Sequence, residues 1–138
     1  MNLHHTDCMQ ALRQMSDNQY DIAIVKPPSD ISAEYFEQLQ RVSRHQVIWG
    51  GNYFLDLLGP TRCLLILEKM TGDRLIDTEI AWTNFDRPVL TFTMRYFDEI
   101  HPRQYDALYE WILETFAKPT DTILDADEIY ARSQRLFT

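Results

Sequence analysis

Apolar positions along the chain switch between two spacings, one suited to helices and one to strands. Cys8, Leu12 and Met15 fall on one helical face. Residues 20–25 form a short apolar run rich in β-formers, which predicts a buried strand. Ser32 is placed to cap a helix whose stripe is Tyr35, Phe36, Leu39 and Val42. Residues 46–49 predict a second buried strand, broken by Gly50-Gly51. Asn52 is placed to cap a short helix that runs to Leu58 and stops at Gly59-Pro60. Residues 62–67 predict a third strand, and Thr71-Gly72-Asp73 a turn. Residues 79–82 and 89–94 predict two more strands, the latter with β-branched alternation. His101-Pro102 opens a helix with Tyr105, Leu108, Tyr109, Ile112 and Phe116 on one face. Pro119-Thr120-Asp121 reads as a turn, 122–124 as a short strand and 127–137 as a final helix. No repeat, low-complexity segment or linker interrupts this order. The alternation of strands and helices predicts an α/β sheet covered on both faces.

Composition sets the setting. The 138 residues, 45% hydrophobic and 25% charged, suffice for one globular domain with a sizeable core. No apolar run reaches the length of a membrane span. The opening residues Met1-Asn2-Leu3-His4-His5 lack the basic-then-apolar pattern of a signal peptide. Cys8 and Cys63 lie far apart without metal-type spacing, which predicts free buried thiols in a reducing compartment. These features together predict a cytoplasmic protein with no membrane partner. Charge changes the picture more. With 13 basic against 21 acidic residues, the net charge is -8. Such a field opposes nucleic acid at a distance and disfavours direct DNA binding, although a local basic cleft would suffice for it.

Candidate chemistry begins where the first strand ends, at Lys26-Pro27-Pro28-Ser29. Further blocks accompany it. They are Asp7-Cys8, Glu34-Tyr35-Phe36, Arg41-Val42-Ser43 and the stretch Gln46-Val47-Ile48-Trp49-Gly50-Gly51-Asn52-Tyr53-Phe54. Glu68-Lys69, Glu79-Ile80-Ala81-Trp82-Thr83, Phe85, His101-Pro102-Arg103-Gln104, Leu108-Tyr109-Glu110-Trp111, Lys118-Pro119 and Ile123-Leu124-Asp125 follow. In this order the chain resembles the amino-group (adenine-N6) DNA methyltransferases of phages and bacteria, in the circular arrangement where the catalytic motif precedes the cofactor motif. The resemblance runs nearly end to end. It implies a reduced Rossmann-like fold of S-adenosylmethionine (SAM)-dependent methyltransferases, with a mostly parallel sheet and helices on both faces. It implies one such domain over residues 1–138, truncated after the cofactor-motif strand.

The departures from the family pattern carry the functional expectation. In active relatives the residue before Pro-Pro is Asp or Asn, which accepts from the adenine amino group. Lys26 has only donors when charged, and its cation would face the positive sulfonium of SAM. The residue after Pro-Pro is usually an aromatic that stacks on the flipped base, and Ser29 has no π-face. The family's glycine-rich cofactor turn is replaced by Asp125-Ala126-Asp127-Glu128. Asp127 and Glu128 put negative charge at a helix start, where it suits the helix and opposes the cofactor's carboxylate. Relatives continue past Thr138 into a strand whose acidic end holds the cofactor's ribose. The link from Pro28 to Ser32 is short, and Tyr105-Asp106 stands where relatives carry a basic residue and proline. The resemblance therefore implies a catalytically inactive homologue, kept as a binding or regulatory module with a protein partner or as a homo-oligomer. Anti-restriction and anti-defence are roles such a module could serve. No cofactor is expected. The alternative is a DNA adenine methyltransferase or subunit that uses SAM and is completed by a partner chain.

Blander readings stand beside these. Lys26 can be a solvated strand-end lysine or a phosphate ligand, and Pro27-Pro28 a loop-shaping pair. Trp49, Gly50, Gly51, Asn52 and Tyr53 can be a base pocket or a strand-ending turn, with Trp49 and Trp82 in the core. His101 suits a helix cap. His4, His5, Asp7 and Cys8 match no zinc spacing, and Asp125, Asp127 and Glu128 read as a solvated helix start, so no metal is expected.

Overall fold

The computed structural model describes residues 5–96 and 102–125, with side chains described for 9–95 and 105–125. Strand β1 (Tyr20–Val25) sets the architecture. Its successive side chains point to opposite faces. Ile22 and Ile24 pack into one apolar cluster, and Ala23 and Val25 into another. A strand buried on both faces has to lie inside a sheet with cover on each side. That cover is α1 (His5–Arg13) and α2 (Ala33–Val42) on one face and α4 (Pro102–Phe116) on the other.

The remaining strands are β2 (Ser43–Trp49), β3 (Leu64–Thr71), β4 (Arg74–Thr83), β5 (Leu90–Tyr96) and β6 (Ile123–Asp125). They form one six-stranded sheet in the order β5-β3-β4-β2-β1-β6. β1 runs parallel to β2 and β6, and β3 parallel to β5. Only β4 is reversed, antiparallel to β2 and to β3. The sheet is thus mostly parallel and has helices on both faces, as expected. The reversal follows from the two-residue loop Gly72-Asp73, where Thr71 pairs with Arg74 and Gly72 has φ 59. A connection that short can only make a hairpin.

Several elements differ from the sequence reading. β2 starts three residues earlier, at Ser43. β3 and β4 extend well past their apolar runs, and β3 carries a register irregularity between Lys69 and Met70. Asn52 caps nothing. Gly50 is the N-cap of a 3-10 turn (Gly51–Tyr53), and Phe54 that of α3 (Leu55–Leu58). Ser32 does hold the N-cap of α2, but its hydroxyl makes no capping hydrogen bond. The predicted final helix over 127–137, the His101 cap and the side chains of His4, His5, Asp7 and Cys8 lie outside the described residues. Cys63 is a buried free thiol, as expected. Among the described residues no helix is long and apolar enough to cross a membrane.

Two polar clasps fix the frame. Arg41 donates to the carbonyls of Leu12 and Met15, both at 2.9 Å, and pairs with Asp17 at 2.7 Å. This places a cation against the carboxyl end of α1, where it satisfies orphan carbonyls. Asp21 and Thr122 join the starts of β1 and β6. The Asp21 amide donates to Thr122 Oγ1 at 3.1 Å, and the Thr122 amide to Asp21 Oδ2 at 2.9 Å.

Candidate functional site

In an open α/β sheet the carboxyl ends of parallel strands leave a crevice, because the following segments diverge there. Here β1, β2 and β6 end side by side. A cavity of about 320 Å³ opens at this edge, lined by Ile24 and Val25 from β1, Lys26 directly after it, Trp49 from β2 and Asp125 from β6. The opposite wall is α4, which presents Tyr105, Leu108, Tyr109 and Ile112. These four share one helical face by their spacing, so the helix lays a continuous aromatic and aliphatic surface over the strand ends. The crevice is therefore apolar along its body, with a cation at Lys26 and a carboxylate at Asp125.

The structure brings only part of the sequence-predicted site together. Lys26, Asp125 and Trp49 line the crevice. Pro27 is half-buried beside it, whereas Pro28 and Ser29 are exposed. Gly50, Gly51, Asn52 and Tyr53 do not line it. Gly51 is buried against Trp82, and Tyr53 is 81% exposed. Trp82 is a core residue as expected, while Trp49 is only partly buried. Asp127 lies outside the described residues.

Two residues at the mouth were not singled out as site residues from the sequence. Lys26 Nζ donates to Glu79 Oε1 at 3.0 Å, and Lys69 Nζ meets Glu79 Oε2 at 2.7 Å. Glu79 thus bridges two lysines. Lys69 is paired across the hairpin with Asp77, two residues from Glu79 on the same face of β4, so the contact is a diagonal cross-strand pair. Lys69 also lies 5.9 Å from the centroid of the Tyr105 ring. Burial works against the charged form of Glu79, but hydrogen bonds and charge from Lys69 and Lys26 outweigh it. The Glu79 carboxyl lies below its ordinary range. Burial likewise disfavours charged Lys69, yet Glu79 and Tyr105 prevail and hold its ammonium above the ordinary range. Glu79 is thereby held between two ammonium groups, and Asp125 adds a second carboxylate to the crevice lining. The signal available in sequence was faint: Glu68-Lys69 and Glu79 are polar positions in strands, and their meeting depends on hairpin register.

Among the described residues no group of three or more His, Cys, Asp or Glu gathers as a metal-holding set. No family model and no curated protein sequence matches the chain. The architecture does have a counterpart among solved structures. The chain is similar to the crystal structure of the M1.HpyAVI–SAM complex with a TM-score of 0.57 at 16% identity, over 96% of this chain and 86% of that one. The chain accordingly shares the Rossmann-like α/β fold of that SAM-bound protein.

Proposed function

We propose that this protein has the methyltransferase fold without adenine-methylating chemistry, and acts as a protein-binding or regulatory module. The observation that carries the reading is the Lys26–Glu79 ion pair at the end of β1. Amino-group methylation needs an acceptor at that point to draw density onto the nitrogen. Lys26 offers donors only, and the acceptor beside it is committed to two ammonium groups. A sulfonium is a fixed cation, so Lys26 and Lys69 oppose it at the mouth, whereas Asp125 in the same lining would attract it. Ser29 is exposed and has no ring to receive a base.

The test is direct. Purified protein is incubated with unmethylated adenine-containing duplex DNA and SAM labelled on its methyl group. We expect no label in the DNA, and incorporation that disappears in a Lys26→Ala variant would overturn the reading. The proposed role also calls for a partner. The acidic surface favours a basic protein, such as a DNA-binding host enzyme, and anti-restriction or anti-defence would be its setting.

A second reading rests on the crevice wall. Trp49, Tyr105 and Tyr109 beside Asp125 form a pocket of a size suited to a small ligand. A methyltransferase subunit completed by another chain would use it for SAM. Calorimetric titration separates the two: micromolar SAM binding favours the enzyme, and no heat at millimolar ligand favours the inactive module.

A further inference from the structure

A second cavity, of about 480 Å³, lies at the other end of the sheet, where β2 begins and β4 finishes. It is independent of the crevice and of any methyl transfer. Its rim carries Arg44 and Arg62, and its walls include Gln46, Thr61, Trp82 and Asn84.

The wall groups are largely spent on one another. Thr61 Oγ1 donates to the Thr83 carbonyl. Trp82 Nε1 donates to the Gly59 carbonyl at 3.0 Å. Asn84 Oδ1 accepts from the Gln46 amide at 2.9 Å, and its Nδ2 donates to the Arg44 carbonyl at 3.0 Å. The walls are thereby fixed before any ligand arrives.

Gln46 is the exception. It is 1% exposed, and its Nε2 donates to Ser43 O at 2.9 Å and Ser43 Oγ at 3.0 Å. Ser43 Oγ gives its own proton to the Leu39 carbonyl, so both of its neighbours demand a donor from Gln46. This sets the amide orientation and leaves Oε1 at the other end. Among the described residues, Gln46 Oε1 is the one buried side-chain nitrogen or oxygen without a hydrogen-bond partner. Such a group is costly unless something supplies a donor.

The charges say what accompanies that donor. Arg44 lies 3.8 Å from the half-buried Asp21, and Arg62 pairs at 3.0 Å with the exposed Asp86, which also lines the cavity. Surface pairs of this kind are weak, and each guanidinium has further donors to give. Two guanidiniums against the one lining carboxylate of Asp86 leave unused N–H donors facing the cavity of an otherwise acidic chain.

We propose that this cavity binds a small oxyanion bearing its own hydrogen-bond donor. Arg44 and Arg62 take the anion, and Gln46 Oε1 accepts from the donor. A phosphate with a protonated oxygen meets this description, as does a carboxylate next to an amide N–H.

The experiment uses the whole chain, followed by amide and side-chain NMR with inorganic phosphate in one arm and N-acetylglycine in the other. We expect saturable shifts in at least one arm, centred on the Gln46 side-chain amide and the Trp82 indole N–H. The arm that responds identifies the source of the oxyanion. Arg44→Gln with Arg62→Gln should weaken binding roughly tenfold or more, since charged hydrogen bonds are lost. Gln46→Met should weaken it while the strand dispersion stays folded. Raising the salt concentration should weaken binding in the unaltered protein, a readout that needs no variant. Absence of shifts at millimolar probe, or binding indifferent to salt and to both arginines, would mean that water alone serves Gln46 and would overturn the proposal.

Discussion

Lys26 donates to a carboxylate 53 residues further along the chain, and that carboxylate is already held by Lys69. The lysine itself could be read as a departure from the family motif, because a motif is local in sequence. Its partner could not, because Lys69 and Glu79 meet only when the β3–β4 register is set. The consequence is testable through stability. Lys69 keeps 15% of its side chain exposed, so removing Glu79 strands a cation with little water to solvate it. Glu79→Gln should destabilise the fold by about 1–2 kcal/mol near neutral pH. The sign with pH follows from the depressed Glu79 carboxyl. Its contribution is fully present above the ordinary value of 4.5 and is lost as pH falls through the lower, folded value. Thermal melts of the two proteins should therefore converge on acidification, because a protonated Glu79 resembles glutamine. A gap that stays constant into acid would show that the pair contributes nothing. Lys69 acts on the opposite limb: its raised value keeps its contribution below 10.5 and loses it as pH rises through the folded value.

At the scale of elements, legibility tracked burial. β1 was read to the residue, since an apolar run buried on both faces announces its own length. The far ends of β3 and β4 escape the apolar pattern, because residues 72–78 are exposed and even Leu75 and Ile76 there face solvent. Backbone pairing carries those strands onward, with β5 alongside β3 through Thr71, and pairing leaves no trace in hydropathy. The Gly50-Gly51 break was visible, but its cause was not. A Cβ on Gly51 would sit 2.4 Å from Trp82 Cβ and 3.0 Å from Trp82 N. Trp82 cannot yield, being paired with Ile48 and tied to Gly59 through its indole. Gly51→Ala should thus destabilise by about 2 kcal/mol or more through overpacking. Gly72→Ala is the control. Nothing lies within 4 Å of its added Cβ, so only the left-handed φ of 59 resists it. That variant should lose about 1 kcal/mol. Denaturant titration of both gives the order, and equal losses would remove the steric account of the Gly50-Gly51 turn.

Among the described residues, β6 lies at one edge of the sheet, far in sequence from the strand it joins. β6 has three residues, forms one edge of the sheet and holds Asp125 at the crevice. The sequence indicates a strand here without showing what holds it to the sheet edge. Its pairing with β1 joins Ile22 to Ile123, Ala23 to Leu124 and Ile24 to Asp125. The Asp21–Thr122 clasp precedes these pairs, across 101 residues of chain. Hydrogen bonds from the Thr122 amide and hydroxyl are the main reason the Asp21 carboxyl lies below its ordinary range, with Arg44 and His45 adding to them. The clasp therefore holds above the ordinary carboxylate value of 3.8 and is released as pH falls through the folded value. An edge strand held this way should open before the rest of the sheet. Asp21→Ala should accelerate hydrogen exchange at Ile22, Leu124 and Asp125 while leaving the β3–β4 ladder protected. Acidification of the unaltered protein should produce the same local pattern. Because Asp125 lines the crevice, any small ligand of that site should restore protection to β6 in proportion to its occupancy. Uniform acceleration across all strands would instead show that β6 opens only with global unfolding, and that the clasp acts on the molecule as one unit.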